Sequence, residues 1–113
     1  MQIWQKPTVV NCDMLNHESQ KNAYKSVKQL FGTIDVLILA AGRGQRGLAT
    51  ETPLNIHEEL MQLNYFSFIS LTNLLLPDMM ESKGGHVSTR LSHTNHCCTL
   101  YLFIKLAMIR LWL

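Results

Sequence analysis

The sequence predicts an α/β fold in which two to three parallel strands are connected by crossover helices. The apolar run Val36–Leu39 is too short for a buried helix, and it lies between a glycine and a glycine-rich loop. That arrangement is typical of a strand covered on both faces. Helical patterns precede and follow this run, as in a chain built from strand–helix–strand units. Because ligands of open α/β sheets bind at the carboxyl ends of strands, we expect any site to lie near Gly42.

The first predicted unit begins at residues 8–12, which are rich in β-branched side chains and read as a short strand. Asn16 is a good residue for the start of a helix. Four apolar residues then recur at helical spacing: Ala23, Val27, Leu30 and Phe31. Gly32 is predicted to end the helix. With Val36–Leu39 these segments form a strand–helix–strand unit, whose crossover is almost always right-handed.

The longest predicted helix follows the glycine-rich loop. Thr52 and Pro53 supply a cap and a proline at the first helical position, while Asn55 with Glu58 offers a second, overlapping start. From residue 54 to residue 80 apolar side chains occur nearly all round, so we expect burial on several sides. Pro77 is predicted to kink or end this helix.

After a predicted turn at residues 82–85, His86–Thr89 has the pattern of a third strand. The periodic pattern is then lost for about ten residues. We therefore expect a partial α/β domain at residues 1–87 and a divergent apolar tail at residues 88–113, helical from about residue 99.

Composition excludes several classes of protein. The apolar fraction is 47% and the charged fraction 16%, as in a globular chain, and the net charge of +2 is scattered and gives no nucleic-acid signal. The apolar run of residues 99–113 is interrupted by Lys105 and Arg110 and falls short of the roughly 20 residues that span a bilayer. Three cysteines and no signal peptide favour a reducing, cytosol-facing location.

The spacing Gly42-x-Gly44-x-x-Gly47 matches a dinucleotide-binding fingerprint. That fingerprint works where its glycines open a helix whose N-terminus meets the pyrophosphate. Here residues 48–52 intervene before Pro53, which favours a flexible loop without a phosphate site.

A second cluster brings together four potential metal ligands: His93, His96, Cys97 and Cys98. Zinc sites usually separate their paired cysteines by two to four residues, whereas these two are adjacent. We therefore expect no metal site.

Asn64 is the most informative single residue, because it lies on an apolar stripe of the long helix. An unpaired buried amide costs about 1–3 kcal/mol, so a polar partner must meet it. A structural amide bonded to the neighbouring loop, or to a water, is the simplest explanation.

Asp13 has the position of an ordinary turn residue. Tyr101 and Lys105 lie four residues apart, hence on one helical face, a pair that many helices contain by chance.

Several of these residues occur in a known order: an acidic residue after a strand, Phe-Gly-x-Ile-Asp-Val-Leu, a small-small-glycine turn, and Leu-Asn-Tyr in a long helix. Together they resemble the short-chain dehydrogenase/reductases over residues 8–87, closest to the branch of dehydrogenase/reductase member 7 and the 11β-hydroxysteroid-dehydrogenase-like proteins. The resemblance implies a Rossmann-type fold and hydride transfer between NAD or NADP and an alcohol or carbonyl substrate.

By this resemblance, Asp13 corresponds to the aspartate that contacts the adenine of the cofactor. Ala40, Ala41 and Gly42 correspond to the turn that passes the adenosine ribose. The choice between NAD and NADP stays open, because the family residues that decide it follow a strand that has no counterpart in this sequence.

Three further positions correspond to the catalytic residues of the family. Asn64 resembles the asparagine whose backbone carbonyl holds a water of the proton relay. Tyr101 and Lys105 have the Tyr-x-x-x-Lys spacing, in which tyrosine is the general acid/base and lysine lowers its pKa and binds the nicotinamide ribose. The catalytic serine stays open: Ser88 has about the usual separation from Tyr101, whereas Ser92 aligns better with the preceding glycine pair.

The sequence also departs from the family. Asn-Asn-Ala-Gly is replaced by Leu-Ala-Ala-Gly, and the first strand–helix–strand unit with its phosphate loop and the C-terminal part both lack a counterpart. Residues 88–100 resemble the product of an altered reading frame or an unusual splice. We interpret the chain as a fragment of an NAD(P)-dependent oxidoreductase that is inactive by itself. The alternative is a non-catalytic remnant that folds by docking its apolar helix, residues 53–80, in a homo- or heterodimer.

Overall fold

A computed structural model of the chain describes residues 7–90. A π-helical turn at Gln62–Phe66 joins two α-helices into one long helix. In chain order the elements are helix α1 (His17–Phe31), strand β1 (Val36–Leu39), helix α2 (Leu54–Met61), the π-turn, helix α3 (Ser67–Glu81) and strand β2 (His86–Thr89).

The two strands form a parallel sheet in which Val36 lies opposite His86 and Leu39 lies opposite Thr89. The His86 N–H donates to the Asp35 carbonyl at 2.8 Å, and the Arg90 N–H donates to the Leu39 carbonyl at 2.9 Å. The long helix is therefore the crossover of a strand–helix–strand unit. The expected α/β fragment with parallel strands is confirmed, and β2 covers the four residues predicted for it.

The strand predicted at residues 8–12 is wrong, because the structure has no strand there. Val9 is 87% exposed, and none of the described segments pairs with it. In a sheet with the strand order 3-2-1-4-5-6, two strands separate the third strand from the fourth. Segments that follow one another along the chain therefore need not be neighbours in the sheet. A segment such as residues 8–12, with no strand beside it, forms no ladder of backbone hydrogen bonds.

Helix α1 begins and ends where the sequence predicts. The Asn16 side chain accepts hydrogen bonds from the backbone N–H groups of Glu18 at 2.9 Å and Ser19 at 3.1 Å. Gly32 ends the helix with φ +76°, and its N–H donates to the Lys28 carbonyl at 2.9 Å. Both ends thus satisfy backbone groups that a helix leaves unpaired.

The buried face of α1 differs from the predicted stripe. Leu30 and Phe31 are more than half exposed, whereas Gln20 is almost fully buried. The Gln20 amide donates to the Met14 carbonyl at 2.9 Å and to the Ser67 carbonyl at 3.2 Å. A polar side chain therefore joins α1 both to the preceding turn and to α3.

The long helix is buried on one side. Phe68 is fully buried and forms a core cluster with Leu39 of β1, whereas Leu54, Phe66 and Met80 are at least half exposed. The predicted burial on several sides is therefore not found within residues 7–90.

Pro77 does not end the helix, which continues to Glu81. A proline inside a helix removes the hydrogen bond to the carbonyl four residues earlier. That carbonyl belongs to Asn73, an exposed residue, so water can replace the missing donor.

Candidate functional site

Asn64 lies in the π-turn and contacts the loop that follows β1. Its Nδ2 donates to the Arg43 carbonyl at 2.8 Å, and its Oδ1 accepts a hydrogen bond from the Arg43 N–H at 3.1 Å. One side-chain amide thereby satisfies both backbone groups of one loop residue. The prediction that the loop near Gly42 meets this amide is confirmed, although Asn64 is half-buried rather than fully buried.

Gly42 makes this contact possible. Its φ is +151°, and a Cβ at this position would lie 2.5 Å from Asn64 Oδ1. Real Cβ atoms do not approach an oxygen so closely, and residues other than glycine rarely adopt this backbone conformation. The end of the strand therefore needs glycine for its backbone conformation and for the close approach of Asn64.

Arg43 is also held by its side chain. Its guanidinium Nη2 lies 2.6 Å from Glu59 Oε1 of α2, and both side chains are about half exposed. The loop residue is thus attached to the long helix through its backbone and through its charge. Sequence reasoning missed this ion pair, because no local spacing links the two positions.

Three of the four residues assigned to the cofactor lie at the start of this loop. Ala40 and Ala41 are exposed and directly follow Leu39 at the end of β1. Met14, the residue after Asp13, packs against the cluster formed by Leu39 and Phe68. The Asp13 carboxylate accepts a hydrogen bond from the Leu15 N–H at 2.9 Å, as a turn residue does. Its role toward adenine stays a prediction.

The glycine fingerprint lacks the geometry that its chemistry needs. The Thr52 N–H and hydroxyl both donate to the Leu48 carbonyl, at 3.1 Å and 3.0 Å, which closes a separate turn before the helix. Helix α2 then begins at Leu54, after Pro53. Because Gly44 and Gly47 do not open this helix, they do not form the phosphate-binding turn of the fingerprint.

Several predicted residues lie outside the described range of 7–90. These are Ser92, Tyr101 and Lys105, together with the cluster His93, His96, Cys97 and Cys98. Ser88, the other candidate serine, lies in β2 opposite Ile38.

Within residues 7–90, no group of three or more acidic, histidine or cysteine side chains is arranged to hold a metal ion. No helix in that part of the chain has the length and apolarity to cross a membrane.

A second polar cluster connects α1 with α3. Lys28 Nζ lies 2.8 Å from Asp78 Oδ2, and the Tyr24 hydroxyl donates a hydrogen bond to the same carboxylate. The hydrogen bond from Lys28 lowers the pKa of Asp78, while the hydrogen bond to Asp78 raises the pKa of Tyr24. Tyr24 and Lys28 have the Tyr-x-x-x-Lys spacing too, but a raised pKa is the opposite of what a general base needs. This cluster is a structural link between two helices.

Comparison with known proteins identifies the family. The family model described as short chain dehydrogenase matches residues 2–96. The chain belongs to the short-chain dehydrogenase family. Dehydrogenase/reductase SDR family member 7 of Mus musculus is 43% identical over 81 residues, which are 72% of this chain and 24% of that protein. Member 7B of the same species is 38% identical over 82 residues, which are 73% of this chain and 25% of that protein. The chain thus spans about a quarter of the length of these curated relatives.

Solved structures agree with the Rossmann-type fold. A 7α-hydroxysteroid dehydrogenase in complex with NADH and 7-oxo glycochenodeoxycholic acid superposes with a TM-score of 0.73 and 27% identity, over 88% of this chain and 40% of that one. A short-chain dehydrogenase from Streptomyces avermitilis gives a TM-score of 0.68 and 32% identity, over 71% of this chain and 30% of that one. The predicted family and its Rossmann-type fold are confirmed for this chain.

Proposed function

We propose that these residues are part of an NAD(P)-dependent oxidoreductase of alcohol or carbonyl groups. The observation that carries the proposal is the pairing of the Asn64 amide with Arg43, directly after Gly42. This pairing fixes a helix residue at the carboxyl end of β1, where open α/β sheets bind their ligands. The helix residue is the one that corresponds to the catalytic asparagine of the family.

The described residues fit one end of a nicotinamide dinucleotide. Ala40, Ala41 and Gly42 form an exposed turn with small side chains, so their backbone is accessible to an adenosine group. The pyrophosphate needs backbone N–H groups at a helix N-terminus, and the glycines at 44 and 47 do not supply one. We therefore assign the adenosine end to this chain and propose that the isolated chain is inactive.

A chimera tests this function. Residues 8–87 replace the matching segment of the mouse member 7 protein, and turnover of a panel of secondary alcohols and ketones is measured with NADH, NADPH and their oxidised forms. We expect turnover by the chimera and a loss of at least about tenfold in kcat in its Asn64→Leu variant, because the asparagine positions the proton relay. A matched Asn73→Leu variant, changed on the exposed side of α3, should keep its activity. Equal turnover by the two variants would contradict the proposal.

The second candidate function is a non-catalytic interaction module. It is favoured by the exposed apolar side chains on the long helix, because Leu54 and Met80 are each 71% exposed. A folded chain that binds a partner through residues 53–80, as a homo- or heterodimer, would bury them. Sedimentation of the purified chain distinguishes the two, since Leu54→Asn together with Met80→Asn should dissociate such an assembly and leave a purely catalytic role unaffected.

A further inference from the structure

Arg43 attaches the loop after β1 to the long helix twice, through its backbone and through its side chain. The Asn64 amide holds the backbone of Arg43, and the Glu59 carboxylate holds its guanidinium at 2.6 Å. In an unbroken α-helix, residues five positions apart point about 140° away from each other around the axis. The π-turn at Gln62–Phe66 is wider than an α-helical turn, which reduces that angle. Both side chains therefore reach one loop residue.

The second attachment has a physical reason next to it in the chain. Gly42 is required because a Cβ there would collide with Asn64 Oδ1. Glycine is also the residue with the greatest backbone freedom. A loop that is held only by the backbone of Arg43 can therefore still rotate about the backbone of Gly42. An ion pair on the neighbouring side chain restricts that rotation. Arg46 forms no ion pair within residues 7–90, so the attachment is specific to Arg43.

We propose that Glu59 and Arg43 are positioning residues, whose ion pair holds the turn at residues 40–42 and the Asn64 amide in their mutual geometry. The proposal rests on the proposed function for its purpose, because a preorganised turn and asparagine serve a dinucleotide site. The ion pair itself is independent of any ligand. It is therefore tested without cofactor.

The test is hydrogen exchange, followed by mass spectrometry, of the 113-residue chain at low micromolar concentration. The loop peptide covers residues 40–48, and the peptide of α1 reports the global fold. Glu59→Gln and Arg43→Gln are each expected to speed exchange of the loop about 1.5- to 5-fold, the range of a partly exposed ion pair. Glu58→Gln and Arg46→Gln, neighbours outside the ion pair, are the matched controls and should leave the loop unchanged.

The charge-swapped variant decides between a specific ion pair and a general disturbance. Arg43→Glu combined with Glu59→Arg should return loop exchange to within about 1.5-fold of the unaltered chain, while each reversal alone speeds it. Loop exchange that is unchanged in Glu59→Gln, or no slower in the swapped variant than in either single reversal, overturns the proposal. If a single variant also loses protection in α1, the swapped variant alone decides the outcome.

A second readout links the ion pair to the site. In the mouse chimera, Glu59→Gln should raise the KM for the nicotinamide cofactor about 1.5- to 5-fold. The thermal midpoint of this variant should equal that of the chimera carrying the control substitution Glu58→Gln. An unchanged KM would limit the ion pair to the loop and overturn its role as a positioning device. A chimera that has no oxidoreductase activity while the exchange results hold would refute only the proposed function.

Discussion

Gly42 and Asn64 approach each other so closely that a methyl group at position 42 would lie 2.5 Å from Asn64 Oδ1. The contact joins the end of β1 to the π-turn of the long helix, and it couples two residues that the family resemblance assigns to different parts of one site. A substitution at either residue is therefore expected to disturb the position of the other.

Gly42→Ala should destabilise the chain by about 1–3 kcal/mol, because it adds a steric conflict to an unfavourable φ of +151°. Gly84→Ala is the matched control, since a Cβ at that position meets nothing within 4 Å. Urea unfolding followed by circular dichroism compares them. Equal midpoints for the two variants would show that the loop moves away from Asn64 at little cost.

Asn64→Leu removes the amide that pairs with both backbone groups of Arg43 while keeping a similar volume. Since the site is half-buried and water can replace part of the pairing, we expect a loss of about 1–2 kcal/mol in the free energy of unfolding. Exchange of the Arg43 amide should also become faster. Asn73→Leu is the control on the exposed side of the helix, and a loss no larger than its own would argue against the pairing.

Gln20→Leu should destabilise the contact between α1 and α3 by about 1–3 kcal/mol. The substitution leaves the Met14 and Ser67 carbonyls without the donor that Gln20 supplies. Gln29→Leu, at an exposed position of the same helix, is the control for a change in helix propensity. Thermal melts of both variants provide the comparison, and a Gln20→Leu chain as stable as Gln29→Leu would contradict the role of the buried amide.

The cluster of Tyr24, Lys28 and Asp78 should make the contact between α1 and α3 sensitive to acid. The hydrogen bond from Lys28 holds the pKa of Asp78 below its ordinary value in the folded chain. Its stabilising effect is therefore fully present above about pH 4 and is lost as the pH falls through the lowered pKa. The thermal midpoint of the unaltered chain should exceed that of Asp78→Asn at about pH 6, with the gap closing toward about pH 2. A gap independent of pH would contradict the account.

Local signals in the sequence predicted local structure well. Asn16 and Gly32 have side-chain and backbone properties that act within one turn, so the ends of α1 could be placed from the sequence. Asn64 was predictable for a similar reason: an amide on an apolar stripe needs a polar partner, and the nearest loop supplied it. The turn at residues 82–85 and strand β2 followed from glycine and β-branched residues.

Features that depend on distant neighbours were not predictable. Residues 8–12 have strand propensity, but a strand also needs a partner beside it. The apolar stripe of α1 suggested Leu30 and Phe31 as buried, whereas the turn before the helix and α3 cover Gln20 instead. The ion pair between Arg43 and Glu59 joins a loop to a helix, and no spacing in the sequence announces it. The π-turn likewise has no recognised local signature.

In the function proposed above, these residues build one end of a dinucleotide site and leave the pyrophosphate without its helix N-terminus. The most direct test titrates NADH and NADPH into the purified 113-residue chain and measures turnover of a panel of secondary alcohols. We expect neither saturable binding below about 1 mM nor turnover, because dinucleotide sites hold the pyrophosphate at a helix N-terminus. Tight binding with turnover that is lost in Tyr101→Phe would contradict the proposed inactivity of the isolated chain.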